Sequence, residues 1–94
     1  MKVYIPIMKH VSFGMYDDGY DYDEILGVCK TIDKAKEVCF SYEFDADEYA
    51  SVSRITEDPV DEIKPFVRRV TIYFGDESAG YIHNFEIKEE DVIE

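Results

Sequence analysis

The chain is short of basic residues, cysteines and long apolar runs, and each shortage removes a class of protein. Against 22 Asp and Glu there are only 10 Lys and Arg, so the 94 residues carry a formal net charge of −12. That balance disfavours direct binding to nucleic-acid phosphates or to an anionic membrane surface. No apolar run approaches the roughly 18 residues of a membrane span. The start, Met1-Lys2-Val3-Tyr4-Ile5-Pro6, has no signal-peptide hydrophobic region, so the expected location is the cytoplasm. Cys29 and Cys39 are too few for a disulfide framework and lack a metal-ligand spacing, which fits a reducing compartment. Internal repeats and low-complexity segments are absent.

Recognisable chemistry is missing too. There is no phosphate-binding glycine loop and no nucleophile elbow, and neither His10 nor His83 belongs to a metal or catalytic motif. The run Asp17-Asp18-Gly19-Tyr20-Asp21-Tyr22-Asp23-Glu24 has the carboxylate density that calcium requires. It fails the EF-hand pattern, because Tyr22 stands where glycine is needed and Val28 where the closing glutamate belongs. Cys29, expected in a strand, and Cys39, on a helix stripe, read as small buried side chains. The expectation is a protein that is not an enzyme, with no catalytic residue, cofactor or metal.

What is present suffices for a fold. Hydrophobic residues make up 46% and aromatics 15%, above the composition of a disordered chain, and the length allows one domain spanning 1–94. Lys2–Lys9 alternates with Val3, Ile5 and Ile7 on one face and Tyr4, Pro6 and Met8 on the other, a strand in which Pro6 implies an edge, a bulge or a non-bonding site. A glycine-containing loop over 10–23 leads to a second apolar segment at Glu24–Lys30, closing a hairpin. Thr31 is a helix N-cap, and Ala35, Val38, Cys39 and Tyr42 then lay one stripe along a helix from Ile32 to Phe44. Ser51–Thr56 reads as a short strand whose Val52 and Ile55 do not fit a single alternating face. Phe66–Phe74 and Tyr81–Ile87, joined by the turn 75–80, form a second hairpin, with Val70, Ile72 and Phe74 on one face of the first strand and Tyr81, His83, Phe85 and Ile87 on one face of the second. Residues 89–94 read as an acidic tail. The expected class is α+β: a small, mostly antiparallel sheet with one main helix packed on one face.

The charge is segregated. One cluster holds Asp17, Asp18, Asp21, Asp23 and Glu24 with no basic residue among them; a second holds Glu43, Asp45, Asp47, Glu48, Glu57, Asp58, Asp61 and Glu62 against Arg54 alone. Like charges held together in a compact state repel, so such a distribution carries a stability cost. Solubility is one reason to retain it. The other is recognition of a cationic groove. Carboxylates two residues apart on extended chain lie about 6.6–6.8 Å apart, while DNA carries one charge per about 3.4 Å of axis on each strand. Tyr20 and Tyr22 are interleaved with the first cluster, as befits interface aromatics, whereas Tyr42 belongs to the helix stripe. Arg68 and Arg69 point to opposite faces of their strand, with salt bridging to neighbouring acids as the default.

In size and charge pattern, and in the Tyr-flanked runs 17–24 and 43–49, the chain resembles the phage-encoded acidic DNA-mimic proteins. Among these it is similar to host-takeover inhibitors of the histone-like protein HU. The resemblance implies a cytoplasmic inhibitor that occupies the DNA-binding surface of a basic, HU-type partner through protein-protein interaction. The contact residues would be Asp17, Asp18, Tyr20, Asp21, Tyr22, Asp23, Glu24, Glu43, Asp45, Asp47, Glu48, Glu57, Asp58, Asp61 and Glu62. Lys34, Lys36, Arg68 and Arg69 would then lie away from the contact face. The alternatives are an inhibitor of a nuclease or restriction complex, and a structural module whose acidity serves only solubility.

Overall fold

A computed structural model describes residues 1–14, 21–43 and 52–93. These residues form an antiparallel sheet with the strand order β2-β1-β5-β4-β3, where β1 is Lys2–Phe13, β2 Tyr22–Ile25, β3 Val52–Glu57, β4 Arg68–Phe74 and β5 Ala79–Asp91. The helix α1, Ile32–Ser41, packs across β1 and β5 on one face. The fold is the α+β arrangement expected from the pattern.

The spine is longer than the alternation suggested. β1 and β5 pair without interruption from Lys2 opposite Asp91 to Phe13 opposite Gly80. Residues 89–91, read as an acidic tail, are therefore strand. Backbone pairing holds them, with Lys2 Nζ 3.3 Å from Glu89 and Lys88 Nζ 3.2 Å from Glu90, and Val92 N–H donates to Met1 O at 2.7 Å. Local acidity signalled a tail, but the cross-strand partner that neutralises it is distant in sequence.

Pro6 sits in β1, between two neighbours, without breaking the ladder. Its carbonyl accepts from Leu26 N–H at 2.9 Å, so its backbone polar side faces away from β5. In an antiparallel strand a residue's N–H and C=O face the same neighbour, so the missing donor falls beyond the end of β2 and no bond to β5 is lost.

Alternation places Pro6, Met8, His10 and Ser12 of β1 in the buried set, opposite Ile87, Phe85, His83 and Tyr81 of β5. Arg68, Val70, Ile72 and Phe74 of β4 continue this face. β3 joins it through a register shift between Val52 and Arg54, which sets Val52 opposite Phe74 and Ile55 opposite Ile72. That bulge explains why the two residues fit no single alternation in the sequence. The core is Met8, Cys39, Val70, Ile72, Phe74 and Phe85, with Tyr42 and Leu26 packed against it.

Thr31 caps α1, its hydroxyl accepting from Lys34 N–H at 3.1 Å. Ala35 and Cys39 of the expected stripe are buried, and Val38 and Tyr42 half-buried. The helix ends at Ser41, short of the expected Phe44, because Tyr42 is already extended. Phe44 lies outside the described residues. The last turn contains no basic side chain to meet the negative end of the helix dipole, and Arg68 of β4 supplies one.

Candidate protein-binding surface

The strand order sends the described members of the first acidic cluster to one edge and Glu57 and Asp58 of the second to the other. Asp21, Tyr22, Asp23 and Glu24 are exposed on or beside β2, one edge of the sheet, whereas Glu57 and Asp58 lie at the end of β3, the other edge. Four strand spacings separate these edges, about 19 Å. Asp61 and Glu62 project from the 3-10 turn Val60–Glu62 that follows β3, and both are exposed. Glu43 is exposed just past the C-cap of α1. The other expected contact residues, Asp17, Asp18, Tyr20, Asp45, Asp47 and Glu48, lie outside the described residues.

Their environments differ. On β2, Asp23 stands opposite Lys9, which is 3.3 Å from Glu86, and Glu24 opposite Met8; neither Asp23 nor Glu24 has an ion-pair partner among the described residues. Asp21 accepts from Ser12 N–H at 3.4 Å. Tyr22 is 41% exposed, and its ring stacks on His10 with centroids 4.6 Å apart. Glu57, by contrast, is ion-paired with Arg68, and Asp58 Oδ2 lies 3.5 Å from Arg69 Nη1. Arg68 and Arg69, expected away from the acidic surface, thus sit inside it. They do so because β4 is the direct neighbour of β3, a pairing the sequence spacing did not reveal.

Ion pairs engage Lys2, Lys9, Lys34, Arg54, Arg68, Arg69 and Lys88, leaving Lys30, Lys36 and Lys64 as the described cations without one. Asp21, Asp23, Glu24, Asp33, Glu43, Asp61, Glu62, Asp76 and Asp91 have no such partner among the described residues. The uncompensated surface charge is therefore negative. Within the turn at 75–78, Asp76 is held below the usual carboxylate range by hydrogen bonds from the Ser78 hydroxyl and then from its N–H.

Two features escaped the sequence reading. The first is a histidine pair on the buried face of the sheet: His10 and His83 face each other across β1 and β5, with Nδ1 and Nε2 3.0 Å apart. Burial, and then the nearby His10, lower the pKa of His83 to about 4. The second is a groove beside the end of α1, lined by Phe40, Tyr42, Glu43, Ile55, Arg68, Val70, His83 and Phe85, with a volume of about 440 Å³. Phe40 gave a signal, being a large apolar residue off the buried stripe of its helix.

The thiols are not poised for chemistry. Cys29 is buried in a backbone bridge to Tyr4, and burial pushes the Cys39 thiol up to about 11 despite the nearby Arg68. Among the described residues no group of His, Cys, Asp and Glu could hold a metal ion, and no helix is long and apolar enough to cross a membrane. Comparison with family models, characterised proteins and solved structures returns no match.

Proposed function

We propose that this protein is an acidic decoy that binds a basic DNA-binding protein and competes with DNA for it, with an HU-type histone-like protein as the first target to test. The observation that carries the reading is the pairing pattern of the charges. Most described cations are met by internal carboxylates, while Asp21, Asp23 and Glu24 on one edge and Asp61 and Glu62 near the other remain exposed and uncompensated. Asp21, just before β2, and Asp23 within it are two residues apart, a spacing of about 6.8 Å on extended chain and twice the axial charge spacing of a DNA strand, while Glu24 alternates to the other face. A sheet holds them in place before contact, which lowers the ordering cost of binding.

Such a decoy associates through charge complementarity, so binding is fast and weakens with salt. Isothermal calorimetry of the protein with purified HU at low and at physiological ionic strength tests the reading. Binding that is tighter at low salt supports it. No heat and no complex at low salt removes HU as the target, and the same result across other basic DNA-binding proteins leaves the acidity to solubility.

A further inference from the structure

We propose that the groove beside the C-terminal end of α1 receives one bulky apolar side chain carried on a basic segment of a partner protein, an inference that rests on the decoy reading above. Two cavities adjoin here, of about 440 and about 320 Å³, and share Phe40 and Arg68 in their walls. The volumes fall within the range of sites that take a small ligand or a large side chain.

Three large apolar residues at the groove are about half exposed. Phe40 is 49% exposed, Ile55 45% and Val60 46%. The cause lies in the packing: α1 lies over β1 and β5, so the same sheet face at β4 and β3 extends past it. Val70 and Phe85 form the floor, and Phe40 and Ile55 face the opening. An apolar anchor seated there gains the burial that charge pairing in water does not supply.

Charge sets the flanks of that anchor. Glu43 lines the first cavity, and Asp61 and Glu62 follow Val60 of the second, all exposed and without ion pairs among the described residues. Arg68, the lining cation, has its charge met by Glu57 and by the carbonyls of Cys39 and Tyr42. Lysine or arginine beside the anchor therefore finds uncompensated carboxylates, and an acidic segment finds repulsion. A second copy of this chain, with its net charge of −12, would bring its own excess of acid to the rim.

The test uses the full chain and two fluorescent peptides of lysine and glycine that are identical except for a central phenylalanine in one and serine in the other. The phenylalanine peptide is expected to bind about tenfold more tightly, as one buried large apolar side chain requires. It should also shift the methyl resonances of Ile55 and Val60. The difference should disappear in Phe40→Ala and, separately, in Ile55→Thr with Val60→Thr, each checked for an unchanged melting curve. Equal affinity of the two peptides for the wild-type chain overturns the groove and leaves the decoy reading standing. Failure of both peptides to bind at low salt overturns both.

Discussion

The guanidinium of Arg68 on β4 donates from Nη1 to the carbonyl of Tyr42, the C-cap of α1, at 2.9 Å. The same nitrogen donates to Cys39 O at 2.8 Å, and Nε donates to Glu57. One side chain thus ties the helix end to β4 and to the edge strand β3. Arg68→Ala should lower unfolding stability by about 1–3 kcal/mol, since it strands part-buried carbonyls at a helix end, while the half-exposed Glu57 carboxylate stays hydrated. Arg68→Lys keeps the charge but not the fork, and should recover less than half of the loss. Urea unfolding of the three proteins measures this, and an alanine variant as stable as wild type would remove the tie.

Histidine 83 makes stability depend on pH in a definite direction. Its pKa falls from 6.5 to about 4 on folding, first through burial and then through His10. Between those values the unfolded chain holds a proton that the folded chain excludes, so stability is full above about pH 6.5 and declines as pH falls toward 4. A loss on the order of 3 kcal/mol is expected from this group by pH 4. His83→Gln, compared with wild type by urea midpoints at pH 7 and pH 5, should show the smaller decline. Equal declines would assign the effect to other groups.

The two sheet edges should respond differently to neutralisation. Asp21→Asn, Asp23→Asn and Glu24→Gln together remove exposed, unpaired charge, and should weaken HU binding at low salt by about tenfold while leaving the melting temperature within a few degrees. Glu57→Gln instead leaves Arg68 without its counter-charge, so its main effect should fall on stability. Calorimetry and thermal melts on the same samples separate the two. Unchanged affinity in the β2 variant would exclude that edge from contact.

Among the described glycines, Gly80 leaves the least room for a side chain. A Cβ there would lie 1.9 Å from Ile72 O and 2.9 Å from Phe13 Cζ. Gly80→Ala should cost about 3 kcal/mol or prevent folding, because backbone has to move. Circular-dichroism melts provide the check, and a wild-type melting curve would contradict the close packing of β4 on β5.

Much of this fold is legible along the chain because its signals are local. Thr31 with the stripe Ala35, Val38, Cys39 and Tyr42 announces the helix, and the alternation from Val70 to Phe74 and from Tyr81 to Ile87 announces the hairpin. What escaped depends on pairing between distant segments. The β1–β5 register turns Glu89–Asp91 from a tail into strand, and the bulge after Val52 puts Val52 and Ile55 on one face. The surface was legible only in part for the same reason. Charge density picked out Asp21, Asp23, Glu24, Asp61 and Glu62, which are exposed and without ion pairs among the described residues. Arg68 and Arg69 do bridge neighbouring acids, as expected, but charge density did not single out Glu57 and Asp58, across β3 and β4, as those acids. Nor does composition indicate that the sheet order parts Asp23 and Glu24 from Glu57 and Asp58 to opposite edges.

The decoy reading is tested most directly by displacement of DNA. A preformed complex of HU with fluorescent duplex DNA is titrated with this protein, and DNA release is followed by anisotropy at low and at raised salt. The account predicts full release at near-stoichiometric protein in low salt, with more protein required as salt rises. DNA that stays bound to HU in low salt under a large excess of the protein would contradict it.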